Sequence, residues 1–173
     1  QHIDQFKKVD ESIFIELENV NPFQNAVPIY NLTAAAGNFS EKQIVNVNEH
    51  DWVKIPSQIK SAENLFACTI QGESMNRVIP NGSICLFRKY TGGSRNGKIV
   101  LVQHTAIQDA DYGSGYTVKE YQSTKKNSNN EQWRHNTITL KALSNDESFD
   151  DINITEDDLE GFKIIGIFEC VLN

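Results

Sequence analysis

From Ala26 to the C-terminus the apolar residues fall in short runs rich in Val, Ile, Phe, Tyr and Thr, each closed by turn-forming residues. That texture predicts strands, because β-branched and aromatic side chains suit a pleated, half-buried surface. The runs are Val27–Leu32, Gln43–Val47, Leu65–Gln71, Ile84–Arg88, Lys98–Gln103, Tyr116–Gln122, Thr137–Leu143 and Phe162–Leu172. Between them stand Pro80-Asn81-Gly82, Thr91-Gly92-Gly93-Ser94 and Arg95-Asn96-Gly97, all turn material. Two polar stretches, Asp109–Gly115 and Thr124–Gln132, predict surface hairpin loops. No segment longer than about ten residues shows a clean helical period. The pattern predicts one mostly-β domain over residues 26–173, preceded by an arm or linker over residues 1–25.

Composition narrows the class. The chain has 173 residues, enough for one domain with a real core. Its formal net charge is -7 at pH 7. A domain that grips DNA broadly is usually basic, so DNA contact is expected only through a domain not present in this chain. No apolar run approaches the roughly 20 residues that span a bilayer, so no membrane association is expected. Gln1–Asp10 is polar and unlike a signal peptide. Gln rather than Met at position 1 suits a fragment of a longer protein. Cys68, Cys85 and Cys170 sit in apolar runs at scattered spacing, which predicts buried reduced thiols and a cytoplasmic location.

No cofactor or metal is expected. Glu156-Asp157-Asp158 lacks converging ligands, and Thr91–Ser94 lacks the Gly-Lys-Ser/Thr ending of a phosphate loop. Trp52 and Trp133 read as packing residues.

The densest chemical signal is Ile70-Gln71-Gly72-Glu73-Ser74-Met75. An apolar run ends at a glycine and a serine stands just beyond it. Such a serine can present its hydroxyl beside backbone N–H groups, the pairing that acyl transfer requires. The plain alternative is a turn serine capping the next segment. A serine nucleophile also needs a base. His2, His50, His104 and His135 lie in the arm, at run edges or in loops, without a convincing acidic partner in sequence. Lys119 is the other candidate, because burial disfavours the ammonium form and frees the amine as a base. Period-two alternation puts Thr117, Lys119 and Tyr121 on one face, with Val118 and Glu120 on the other. Alone, Lys119 reads first as a solvated edge-strand lysine, and only the Thr-Val-Lys context and Ser74 displace that reading.

Four pieces stand in order: Gly72-Glu73-Ser74-Met75, Ile79-Pro80-Asn81-Gly82, Asn96-Gly97-Lys98-Ile99-Val100 and Thr117-Val118-Lys119. Together they resemble the signature of the LexA/UmuD self-cleaving serine peptidases. That pattern is a Gly-x-Ser-Met block, an Asp-Gly type turn, a Gly-x-(Ile/Val)-Val strand and a Thr-Val-Lys strand. The resemblance covers roughly Ala26 to the C-terminus. It implies a LexA/signal-peptidase-like β-sheet fold with short helical segments. It makes Ser74 the nucleophile and Lys119 the general base, with the backbone N–H groups of Glu73 and Ser74 as the oxyanion hole. Upstream, Pro28-Ile29-Tyr30 leads into Ala34-Ala35-Ala36-Gly37, and the family cuts itself at such a bond. The implied scissile bond is Ala36–Gly37, in a segment over residues 33–40. The resemblance further implies a homodimer, a RecA-type filament as trigger, and a role in transcription regulation during an SOS-type response to DNA damage.

The chain departs from the family at three places. Asn81 stands where Asp is frequent. The stretch Leu143–Phe149 lacks the proline of the family's late motif. The loop Thr105–Gly115 is expected to be longer than the usual tight hairpin. A rival reading is a non-cleaving dimerisation or sensing module at the C-terminus of a larger DNA-processing or restriction-type protein. Signal peptidase shares the serine–lysine chemistry, but the chain shows no membrane anchor.

Overall fold

The computed structural model describes residues 13–32, 46–109, 113–125 and 136–173. The expectation of a mostly-β fold holds. Nine strands form one sheet among the described residues. They are β1 (Ala26–Tyr30), β2 (Trp52–Lys54), β3 (Leu65–Ile70), β4 (Ser83–Lys89), β5 (Ile99–Asp109), β6 (Gly113–Lys125), β7 (Asn136–Lys141), β8 (Ile152–Ile154) and β9 (Lys163–Val171). Their spatial order is β2-β1-β3-β4-β9-β5-β6-β7-β8. The β1–β3 pair is parallel and the other pairs are antiparallel. Three-residue 3-10 turns stand at Leu17–Asn19, Val47–Glu49 and Glu156–Asp158.

Alternation along the strands sorts the core into three clusters. Phe66, Cys68 and Ile70 of β3 join Cys85 and Phe87 of β4, Leu101 of β5, Val118 of β6 and Ile165 of β9. On the other face of β3 and β4, Leu65, Ala67, Ile84 and Leu86 pack with Val27 and Val53. Val100, Val102, Tyr121, Ile138, Leu140 and Ile164 make the third cluster. The central strands therefore bury both faces, which is why β3 reads as a near-continuous apolar run.

The last strand, β9, lies between β4 and β5. It joins a half built from β1–β4 to a half built from β5–β8. Register shifts at Leu86/Phe87 and Leu101/Val102 interrupt both of its ladders. Gly166 faces Phe66 so closely that a Cβ there would stand 2.9 Å from Phe66 Cζ.

Three expectations are corrected. Thr105–Asp109 belongs to β5, which pairs with β6 as far as Gln108↔Ser114 and Asp109↔Gly113. The length expected as a loop is spent on strand, after a register shift between Gln103 and Gln108. Likewise Thr124 and Lys125 extend β6 and pair with Thr137 and Asn136. In the expected strand Gln43–Val47, residues 43–45 lie outside the described residues. Its end forms a turn instead, because Asn46 Oδ1 accepts the Asn48 N–H at 3.2 Å and caps Val47–Glu49.

Residues from Ile13 onward lie along the β2 edge. Phe14 bridges Val53, and the Ile15 N–H donates to the Trp52 carbonyl at 3.2 Å. Trp52 is buried, with its Nε1 donating to the Val47 carbonyl at 2.9 Å; Trp133 lies outside the described residues.

Candidate functional site

Ser74 is placed by the way the chain leaves β3. Gly72 turns it at φ +97°, a conformation that suits glycine and strains other residues. The Gly72 N–H donates to Asn81 Oδ1 at 2.8 Å, and the Gly82 N–H to the Ile70 carbonyl at 2.8 Å. These bonds tie the Ser74 turn to the Pro80-Asn81-Gly82 turn. Beyond Ser74, Met75 and Ile79 are buried in the first cluster. Each such anchor is worth about 1.5–3 kcal/mol, and together they hold the segment against the sheet.

Lys119 is placed by β6, opposite Val100 of β5. Ser74, Thr117 and Lys119 are 5%, 0% and 3% exposed. Lys119 Nζ lies 2.9 Å from Ser74 Oγ, within hydrogen-bond distance, and it donates to Thr117 Oγ1 at 2.8 Å and to the Val118 carbonyl at 3.2 Å. The structure thus brings together two residues 45 positions apart in sequence. A hydroxyl and an amine at this separation are within reach for proton transfer. Tyr121, two residues on, is buried in the third cluster, with the Arg95 guanidinium 5.2 Å from its ring centre.

A second bracket holds the Ser74 turn from the far half of the sheet. The Glu73 carbonyl accepts from Ser144 Oγ at 2.7 Å and from the Asn76 N–H at 3.3 Å. Asn76 Oδ1 accepts the Asn145 N–H at 2.8 Å, and its Nδ2 donates to Glu73 Oε2 at 3.0 Å. The Arg77 N–H donates to the Leu143 carbonyl at 3.0 Å. Sequence reasoning missed Ser144 and Asn76. Ser144 lies in the stretch Leu143–Phe149 compared with the family's late motif, but its meeting with Asn76 and Glu73 is set by tertiary structure, which that comparison does not show.

The other candidates are placed as follows. Glu73 stands in the turn beside Ser74, while Ala36 and Gly37 lie outside the described residues, as do His2 and His135. His50 sets its ring edge-on to Tyr30, with centroids 4.9 Å apart. His104 is buried, its Nε2 3.2 Å from the Glu160 carbonyl. The three cysteines are free thiols. Burial, reinforced by Cys170, pushes the Cys85 thiol up to about 12. Burial also pushes Cys68 strongly upward, with Cys85 adding to it. Thiols held protonated in this way are poor nucleophiles, so Cys68 and Cys85 do not compete with Ser74. Among the described residues, no cluster of His, Cys, Asp or Glu is placed to hold a metal ion, and no helix is long and apolar enough to cross a membrane.

A serine hydroxyl joined to a lysine amine, both withdrawn from solvent, places the chain in the class of β-sheet proteins that carry a buried serine–lysine pair. Residues 28–168 match the family model described as Peptidase S24-like, and the chain belongs to that family, which is of the LexA/UmuD type. A comparison with curated proteins finds no match.

Proposed function

We propose that the chain is the self-cleaving serine peptidase domain of a LexA/UmuD-like regulator, with Ser74 as nucleophile and Lys119 as general base. The observation that carries this reading is the 2.9 Å contact between Lys119 Nζ and Ser74 Oγ, both buried. A neutral Lys119 has two N–H bonds and one lone pair. The N–H bonds serve Thr117 Oγ1 and the Val118 carbonyl, and the lone pair accepts the Ser74 hydroxyl proton. Ser74 Oγ then attacks the Ala36 carbonyl carbon, and the N–H groups of Glu73 and Ser74 receive the developing oxyanion. Lys119 returns the proton to the Gly37 nitrogen as the Ala36–Gly37 bond breaks, leaving an acyl group on Ser74. Water activated by the same amine hydrolyses that ester and regenerates the hydroxyl. The reading includes pairing of two copies, triggering by a RecA-type filament, and an SOS-type role in the cytoplasm. The pairing, trigger and SOS-type role rest on the family resemblance, and the location on the reading of Cys68, Cys85 and Cys170 as reduced thiols.

The test is incubation of the purified chain over a series of rising pH, followed by intact-mass measurement. Wild type should yield a new C-terminus at Ala36 and a new N-terminus at Gly37. The rate should climb with pH as the amine is deprotonated, and S74A and K119A should remain whole. A chain that stays intact at alkaline pH, with and without an activated RecA filament, would instead favour the non-cleaving dimerisation or sensing module.

A further inference from the structure

We infer that Ser144 is a positioning residue that sets the direction of the Ser74 N–H through the Glu73 carbonyl. The peptide unit between Glu73 and Ser74 is trans, as are all described peptide bonds. In a trans unit the carbonyl and the N–H point in opposite directions within one plane. Whatever fixes the Glu73 oxygen therefore fixes the Ser74 N–H. Two donors converge on that oxygen: Ser144 Oγ at 2.7 Å and the Asn76 N–H at 3.3 Å. The Asn76 bond is local, spanning three residues, and is long. The Ser144 bond is short and comes from the segment after β7.

Ser144 is itself held. Its oxygen accepts the Asp146 N–H at 3.0 Å, which closes a small turn. A hydroxyl has one proton to give. The 2.7 Å contact to the Glu73 oxygen takes it, in preference to the 3.4 Å contact to Asn76 Oδ1. The Asn76 oxygen is engaged with the Asn145 N–H at 2.8 Å. The Ser144 hydroxyl is thus aimed by its own turn, and the Glu73–Ser74 plane is aimed by the hydroxyl. The inference rests on the peptidase reading, in which the Ser74 N–H stabilises the oxyanion. It adds a residue 70 positions downstream to the parts that make that donor effective.

The experiment uses the full chain as wild type, S144A and S144T. At mildly acidic pH, where cutting is slow, the amide order parameter of Ser74 is measured by NMR relaxation. It should be near about 0.85 in wild type and fall toward about 0.6 in S144A. S144T, which keeps the hydroxyl, should restore it. In parallel, self-cleavage is followed against pH. S144A should lower the plateau rate about tenfold, less than the loss of an oxyanion donor outright. The midpoint of its pH profile should stay in place, because the Lys119 amine is untouched. An unchanged Ser74 amide in S144A overturns the inference, and so does a slow S144A whose pH midpoint has moved. If wild type never cuts but S144A still loosens the Ser74 amide, the positioning stands and the peptidase reading falls.

Discussion

Replacing Gly166 with alanine should loosen the strand that joins the two halves of the sheet. The new Cβ would stand 2.9 Å from Phe66 Cζ, 3.2 Å from Phe66 Cε1 and 3.3 Å from the Arg88 carbonyl oxygen. Carbon atoms pack at about 3.5–4.0 Å, so the ring must retreat by more than half an ångström. It has little room. Phe66 is fully buried and stacked on Phe87 at 5.7 Å, and Phe87 in turn meets Phe168 edge-on at 6.0 Å. The opposite wall is backbone and cannot step aside. Overpacking of this kind costs about 1–3 kcal/mol. Relief of glycine's conformational entropy returns about 0.5–1 kcal/mol, so the middle of the two ranges leaves a net loss of about 1 kcal/mol. For a chain of this size that lowers the melting midpoint by about 2–4 °C. Circular dichroism melts and urea titrations read it directly. Phe66→Leu removes the outer ring atoms, so the double variant should lose less than the sum of the single losses. A G166A protein as stable as wild type, or strictly additive losses, would refute the reasoning. Because β9 separates the strands that carry Ser74 and Lys119, G166A should also slow self-cleavage.

Thr117→Val keeps the shape but removes the Oγ1 that holds Lys119 Nζ at 2.8 Å; the loss of one hydrogen bond, about 1 kcal/mol, should slow cleavage about fivefold in first-order rate measurements. Gly72→Ala must hold φ near +97°, a strain of about 1–3 kcal/mol, seen as a lower urea midpoint and slower cutting. Stability should fall in alkali: burial raises Cys68 and Cys85 above the ordinary thiol value of 9.0 in the fold. Their contribution is complete below pH 9 and is lost as pH rises from about 9 toward about 12, by about 1.4 kcal/mol per pH unit and thiol. Melts between pH 8 and 11 check this, and Cys85→Ala should flatten the decline; a wild-type midpoint independent of pH would mean that the thiols ionise freely in the fold.

The strands legible in the sequence were those long enough to show a run of apolar and β-branched residues. Leu65–Ile70, Ser83–Lys89 and Lys163–Val171 carry four or more apolar or β-branched residues and were expected within a residue or two. Trp52–Lys54 and Ile152–Ile154 escaped because three residues cannot show a period. The polar continuation of β5 through Gln108 and Asp109 read as loop, since its pairing comes from the β6 partner and not from side-chain character. Ser74 and Lys119 were legible through their flanking motifs. The hydrogen bond from Ser144 was not, because it joins two loops whose approach only the finished sheet determines.

That dependence has a consequence for when the site exists. Ser74 hangs from β3, which pairs with β4; Lys119 sits on β6, which pairs with β5. In the sheet β4 and β5 are not neighbours, and the strand between them is β9, the last in sequence. The segment Leu143–Asn145 supplies the other tie, clamping Glu73, Asn76 and Arg77. Both ties come from the C-terminal third of the chain. Pairing across such sequence separations carries a loop-closure cost that local hairpins do not. The β3–β4 and β5–β6 hairpins each hold one member of the pair. In the finished sheet β9 and the Leu143 segment link the two hairpins, and hydroxyl and amine stand 2.9 Å apart. On the self-cleaving reading we propose, a complete site therefore requires a complete fold.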